Sequence, residues 1–285
     1  MKRTLVLLLA VTLATAGQTA DLRLTFIGAS TAPLGNPHDL KLSPDGKYLF
    51  VSDVDNDRVA ILDPETLEWV AEFGADHQGG THDVDFDRDG RVYVADTHNN
   101  RVTIYEINGT DARLVDEVGA RIRGPEGVLL HPNGRLYVAG AWSGNVVAYR
   151  DGEVVAELGG LSSPHDLELA QGGDIWLADA GNSRLLLLSP DLEIKKELGR
   201  SEYDFNGVRY LDLTDDGMII AADKNNHQVK FIAADGSLVH VMGDGKAGRG
   251  INRFRTPEGV EVRGSELWLS DSGNDRVVKY RLELE

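Results

Sequence analysis

The sequence contains no cysteine. That absence excludes disulfides, thiolate nucleophiles, Cys-ligated zinc and a lipid-modified N-terminal Cys. An oxidising compartment is tolerated without being used, which suits a bacterial periplasm better than a disulfide-stapled extracellular module. Long hydrophobic runs are missing too: beyond residue 16 nothing approaches the roughly 18 to 20 consecutive apolar residues that a membrane helix requires. Basic residues are scarce, 29 Lys and Arg against 46 Asp and Glu, for a net charge of -17. Such a surface repels phosphate backbones and anionic lipid, which argues against nucleic-acid and membrane partners. Its simplest role is solubility.

The chain opens on Met1-Lys2-Arg3 and an apolar run from Leu5 to Leu9 and on to Ala16. A charged start before a short hydrophobic stretch is the pattern of a secretory signal peptide. Ala14-Thr15-Ala16 offers a cleavage pattern, and a second ends at Ala20. The expectation is a signal over 1–20, an exported protein, periplasmic or secreted, and a mature domain over 21–285.

Within that domain a short apolar strand ending in an acidic signature residue recurs: LFVSDVDNDRV (49–59), VYVADTHNNRV (92–102), IWLADAGNSRL (175–185), IIAADKNNHQV (219–229) and LWLSDSGNDRV (267–277), with a degenerate copy, LYVAGAWSGNV (136–146), in the one gap. The signature positions are 53, 96, 140, 179, 223 and 271. A period near 40 residues marks a repeat architecture. Each signature is preceded by a strand and a tight turn such as Pro44-Asp45-Gly46 or Asp215-Asp216-Gly217, where glycine supplies the positive φ that hairpins need. A fourth strand ends each unit in an apolar residue and Gly, as in EWVAEFG (68–74) and SLVHVMG (237–243). Five such endings follow the signatures, and the sixth, LRLTFIG (22–28), precedes the first repeat. The economical solution docks that N-terminal strand onto the last unit and closes the ring, leaving no open sheet edges. The predicted fold is all-β, six four-stranded antiparallel blades.

The Asp-x-x-Asn-x-Arg-Val run at 53–59, 96–102, 179–185 and 271–277 resembles NHL repeats, which implies a β-propeller over essentially 22–285. Fold alone leaves activity open, since this architecture serves enzymes and binding platforms alike.

At the start of each inner strand a Pro or small residue precedes a variable polar one. Read in register, that variable position is His38, His82, Glu126, His165, Asn206 and Glu258. Inner strands line a propeller's channel, so these six side chains are expected in one ring at one mouth. Each is a competent metal ligand; three imidazoles with carboxylates suit Zn²⁺ best, Fe²⁺ or Mn²⁺ next, whereas Ca²⁺ prefers oxygen alone. In a catalytic reading Glu126 or Glu258 serves as base, and Tyr203, Arg121, Arg123, Arg253 and Arg255, which precede inner strands, orient substrate at the same mouth.

The strand start Pro-His-Asp-Leu, at 37–40 and 164–167, is similar to that of peptidyl-hydroxyglycine amidating lyases, which implies His38, His82 and His165 as zinc ligands and Asp39, Asp83 or Asp166 near a second, structural Ca²⁺. The Glu126-Gly127, Asn206-Gly207 and Glu258-Gly259 starts resemble instead the gluconolactonase group of metal-dependent propeller hydrolases. The ring combines both patterns. The implied activity is a lyase or hydrolase acting on a small-molecule or peptide substrate; the alternative is a platform whose acidic upper face holds a protein partner. Two lookalikes carry less. Asp85-x-Asp87-x-Asp89-Gly90 alternates as a strand running into a turn and lacks a calcium loop's flanking helices, and Gly243-x-Gly245-x-x-Gly248 leads into a strand, not a nucleotide-binding helix. The repeated signature aspartates are expected to brace their own loops.

Overall fold

The computed structural model describes residues 22–284, so the expected signal segment lies outside the described residues. Six four-stranded antiparallel sheets follow one another around a ring. Blade 1 is β2 to β5 (37–73), blade 2 β6 to β9 (81–118), blade 3 β10 to β13 (125–159), blade 4 β14 to β17 (164–198) and blade 5 β18 to β21 (208–242). Blade 6 comprises β22 (Pro257–Arg263), β23 (Glu266–Asp271) and β24 (Arg276–Leu284), completed by the N-terminal β1 (Leu22–Ala29). Leu22 pairs with Leu284 and Phe26 with Tyr280, which is the closure the sequence predicts.

Hydrophobic clusters lie between consecutive blades. One joins Leu40, Val51 and Ala60 of blade 1 to Trp268 and Val277 of blade 6, and its indole donates to the Pro64 carbonyl at 2.9 Å. Fully burying side chains of this size contributes about 1.5–3 kcal/mol each, so blade-to-blade contact carries most of the stability.

Two polar devices lock the blades in register. The aspartate at the signature position accepts three kinds of bond. Asp179, fully buried, takes the Ser162 amide (2.8 Å), the Asn182 side chain (2.8 Å) and the Arg184 guanidinium (2.7 Å). Asp53, Asp96 and Asp271 do the same with their own Asn and Arg. In blade 5 Lys230 replaces the arginine on Asp223. The second device links neighbours. After a tight turn the chain enters the left-handed region at Asp57, Asn100, Ser183, His227 and Asp275, and each of these side chains accepts a backbone amide of the next blade: Gly80, Gly124, Gly207, Thr256 and, across the closure, Asn36.

Candidate functional site

Each inner strand begins opposite the signature position and then bulges: Pro37 faces Asp53 and Leu40 faces Val51. The residue after the strand's first therefore occupies one level in every blade. His38, His82, Glu126, His165 and Glu258 all stand there, on β2 (Pro37–Leu42), β6 (Thr81–Phe86), β10 (Pro125–Leu130), β14 (Pro164–Leu169) and β22. All five are buried.

Blade 5 differs from the sequence reading. Val208 faces Asp223, so the ring residue on β18 (Val208–Leu213) is Arg209 and not Asn206. Asn206 lies in the preceding turn, where its amide donates to Asp223 at 2.7 Å, the role of Ser162 in blade 4. Matching Gly207-Val208 to Gly127-Val128 slides the blade by three residues. Spacing carries the signal that resolves it: Arg209 precedes Asp223 by 14 residues, as His82, Glu126 and His165 precede Asp96, Gly140 and Asp179.

Tyr203 also lies elsewhere. Its ring stacks on Phe205 (5.4 Å between centroids) and its hydroxyl donates to the Gly236 carbonyl at 2.7 Å, a wedge between strands. The tyrosine at the ring is Tyr210. Fully buried, it reaches from blade 5 to within 3.1 Å of the His82 carbonyl and 3.2 Å of the Glu126 carbonyl, which share its hydroxyl proton. Its ring lies 6.3 Å from both His38 and His165, edge-on. Tyr210 thus floors the ring. Of the arginines, Arg121 and Arg253 pair with Glu157 and Asp244.

Two cations close over the carboxylates. Lys224 Nζ, from the residue after the blade 5 signature, lies 2.5 Å from Glu258 Oε1, and His38 Nε2 is 3.4 Å from the same oxygen. Across the ring, His165 Nε2 makes a close ion-pair contact with Glu126 Oε2, and Arg209 stands 3.6 Å from that oxygen. Each carboxylate therefore sits between an imidazole and a cation. Burial opposes the Glu126 charge, yet His165, His82 and Arg209 outweigh it and bring its pKa down to about 2.

The three imidazoles differ. His165 Nδ1 faces the Ser163 carbonyl at 2.7 Å while Nε2 makes the close contact with Glu126, so both nitrogens stand against oxygens. His38 keeps a buried Nδ1 without a hydrogen-bond partner; burial, then His82 and Lys224, hold its pKa well below the ordinary value. In His82, Nδ1 must carry the proton because it donates to the Gly80 carbonyl (2.8 Å) and meets Thr97 Oγ1 (2.8 Å), whose own proton goes to the Pro125 carbonyl (2.6 Å). That tautomer leaves Nε2 with its lone pair. Burial, the largest influence, lowers the His82 pKa.

Residues 82–105 match the NHL repeat family. This is a six-bladed propeller carrying an NHL repeat. NHL repeat-containing protein 2 of Gallus gallus is 28% identical over 96 residues, 32% of this chain and 13% of that protein's length. Among solved structures, the chain is similar to virginiamycin B lyase from Staphylococcus aureus (TM-score 0.65, 13% identity, 92% of this chain and 100% of that one). It is also similar to a putative gluconolactonase (0.70, 15%, 95% and 94%) and to a protein of unknown function from Bacteroides thetaiotaomicron (0.75, 15%, 92% and 77%). At these identities the likeness is one of fold.

Asp39, Asp83 and Asp166, one residue deeper in the propeller, serve architecture. Asp83 accepts the amides of Val84 (2.6 Å) and, in the next blade, Val128 (2.5 Å); Asp166 does so with Leu167 and Leu211 (both 2.7 Å). Asp39 is raised well above the usual carboxyl range by burial and by the neighbouring Asp83, itself pushed up to about 6 by burial.

For a divalent ion the ring fits in kind and not in arrangement. Imidazoles and carboxylates are present, and His38 Nδ1 and Glu258 Oε2 are buried without hydrogen-bond partners. Yet among the described residues no three His, Asp or Glu side chains converge as ligands, and Lys224 and Arg209 stand where a dication's charge would be needed. What the ring does hold is an imidazole nitrogen with its lone pair on His82, whose ring lies 4.5 Å from that of His38, together with an imidazole–carboxylate contact between His165 and Glu126 and a tyrosine floor.

Proposed function

We propose that the mouth ring is the active site of a lyase-type enzyme, acting on a small polar substrate by proton transfer between two sides of the cup. The observation that carries this reading is the fixed His82 tautomer: a carbonyl acceptor on Nδ1 dedicates Nε2 to accepting a proton. His82 removes a proton from the substrate. His165, set against Glu126 with Arg209 beside it, supplies the proton and positive charge that meet the negative charge developing on the departing oxygen. Tyr210 excludes water from below. Fold neighbours support the reaction class, since they include virginiamycin B lyase, a catalytically inactive His-to-Ala variant of which was crystallised with Quinupristin.

The test is turnover of a panel holding hydroxyglycine peptides, lactones and β-oxygenated carbonyl compounds by wild type and His82→Gln. A positioned base contributes about 10²–10⁴-fold, so His82→Gln should lose at least a hundredfold in kcat. Because His82 must be neutral, the acid limb of the activity profile should lie below His82's ordinary pKa of 6.5. Full activity in His82→Gln rejects the assignment; lactone hydrolysis alone moves the same base to the activation of water.

The unpartnered His38 Nδ1 and Glu258 Oε2 favour a second reading, in which Zn²⁺, Fe²⁺ or Mn²⁺ is held by His38, His82 and Glu258 once Lys224 swings away. Metal analysis separates the two. Stoichiometric metal that is lost in His38→Ala establishes the second reading; full activity after chelation removes it.

A further inference from the structure

Above the ring, in blades 2, 3 and 5, the residue two places after the signature position leans on the turn that leads into the same blade's inner strand. In blade 2 the His98 ring lies on Gly80, so that a Cβ there would meet it at 2.7 Å; in blade 3 the Trp142 indole lies on Gly124 (2.4 Å), and in blade 5 Asn225 lies on Gly207 (2.7 Å). Blades 4 and 6 carry Gly181 and Gly273 at the leaning position and Ser163 and Thr256 in the turn. All these turn residues have positive φ, 47° at Ser163 and 45° at Thr256 against 58° at Gly124. The backbone therefore tolerates a side chain at this site, and the glycines are present because a planar side chain covers them.

Two of those planar groups are neighbours. His98 and Trp142 stack at 5.9 Å between centroids and 20° between planes, and Trp142 remains 51% exposed. The stack lies at the rim of the ring. His98 follows Thr97, which touches His82 Nδ1 and the Pro125 carbonyl, and Gly124 is two residues before Glu126. Blade 3 is also the one blade without a signature aspartate, its place taken by Gly140. Polar groups around the stack already have partners: Asn100 Oδ1 takes the Gly124 amide, Asn99 bonds Asp96, and Ser143 Oγ donates to Asn145. Few are left to read the hydroxyls of a sugar. The cations Arg209 and Lys224 both stand on blade 5, across the mouth.

We propose that the Trp142–His98 stack is a binding platform for an aromatic group of the substrate, which lies flat on the exposed indole while its reacting atoms reach His82. This rests on the reading of the ring as an active site, and it names the substrate class: an aromatic ring joined to an oxygen-bearing function that points toward Arg209.

Binding and turnover are measured apart. N-acetyl-L-phenylalaninamide and methyl β-glucoside are titrated separately into the full chain, with affinity read from the probe's own NMR signals and contact read from the indole N–H resonances of the four tryptophans. The aromatic probe should shift, saturably, the one resonance that Trp142→Ala removes. Its affinity should fall at least tenfold in Trp142→Ala and in Gly124→Ser, which displaces the indole with a residue the equivalent turn of blade 4 already accepts, and should survive in Trp142→Phe. His82→Gln should bind the probe as wild type does, so a failed catalytic assignment leaves this result standing. Equal affinity of Trp142→Ala and wild type, no saturable binding, or glucoside binding in place of the aromatic probe overturns the proposal.

Discussion

At the signature position five blades carry the same aspartate with matching partners, whereas 13 to 15 residues earlier the ring position changes from His to Glu to Arg. Both levels are polar and, apart from Arg209, buried. Their partners differ: Asp179 is met by one amide, one carboxamide and one guanidinium of its own blade, while Glu126 is met by His165 of the next blade and Arg209 of the one after. A group that closes its bonds inside one repeat can be copied with the repeat. A group whose partners lie in other blades makes a different contact in each, and a single asymmetric site follows. In a symmetric scaffold chemistry is therefore to be sought where the repeat is broken.

The largest expected effect lies on the repeated side. Asp179→Ala removes the acceptor of the Ser162 amide, the Asn182 side chain and Arg184 Nε, while Arg184 keeps Glu197; at about 1–3 kcal/mol for each buried donor left unsatisfied, the loss is about 3–5 kcal/mol. For a chain of this size that lowers Tm by roughly 6–20 °C at 2–4 °C per kcal/mol. His82→Gln should stay within about 1 kcal/mol of wild type in the same denaturant melts while losing turnover. Equal stability of the two variants would break the comparison.

Next is pH. Asp85 and Asp212, deeper in the channel, are each pushed up to about 7 by burial, against 3.8 for the unperturbed carboxyl; Asp39, Asp166 and Glu261 move the same way. Between pH 4 and 7 the folded chain thus holds more protons than the unfolded one, and stability falls as pH rises through that window. His38 and His82, shifted down, oppose this only between their folded values and 6.5, and they are fewer. Tm should be several degrees higher at pH 5 than at pH 8, and Asp85→Asn with Asp212→Asn should flatten the slope. A Tm that rises with pH would contradict the protonated carboxyls.

Much of this was legible in the sequence. The six blades, the closing strand over 22–28 and five of the six ring residues follow from period and pattern, because hairpin turns and signature loops are local. Asn206 in place of Arg209 is a register slip: the Gly207-Val208 dipeptide imitates the other strand starts, but Asn206 lies 17 residues before Asp223, outside the 13 to 15 of the other blades. Tyr203 and Tyr210 are indistinguishable by composition; only the bulge after Val208 shows which one enters the channel. Lys224 was hidden for another reason: it serves the ring of the next blade from within a signature loop, and a repeat read blade by blade has no column for a contact between blades.

Blade 3 tests whether the broken repeat is tolerated or required. Installing the missing aspartate with Gly140→Asp should destabilise by about 1–3 kcal/mol, since a Cβ there meets Ser143 Oγ at 2.3 Å and Asn145 Oδ1 at 2.9 Å. No arginine follows to pair with it; Asn145, bonded to Glu157, occupies that place. A stabilised variant would mean that the loop bearing Trp142 kept its aspartate-binding form.

The smallest effect probes how the ring hangs from the architecture. Thr97 Oγ1 donates to the Pro125 carbonyl and accepts from His82 Nδ1, whose proton is also held by the Gly80 carbonyl. Thr97→Val keeps the shape and deletes both hydroxyl contacts, about 1 kcal/mol for a typical hydrogen bond. With Gly80 still in place the tautomer persists, so His82 Nε2 remains the acceptor and the acid limb of the pH profile should not move. What is lost is the second point fixing the ring's orientation. A few-fold lower kcat at unchanged KM is expected, against the hundredfold or greater loss in His82→Gln. A Thr97→Val defect as deep as that of His82→Gln would place the tautomer under Thr97 rather than Gly80, and a shifted acid limb would show the same.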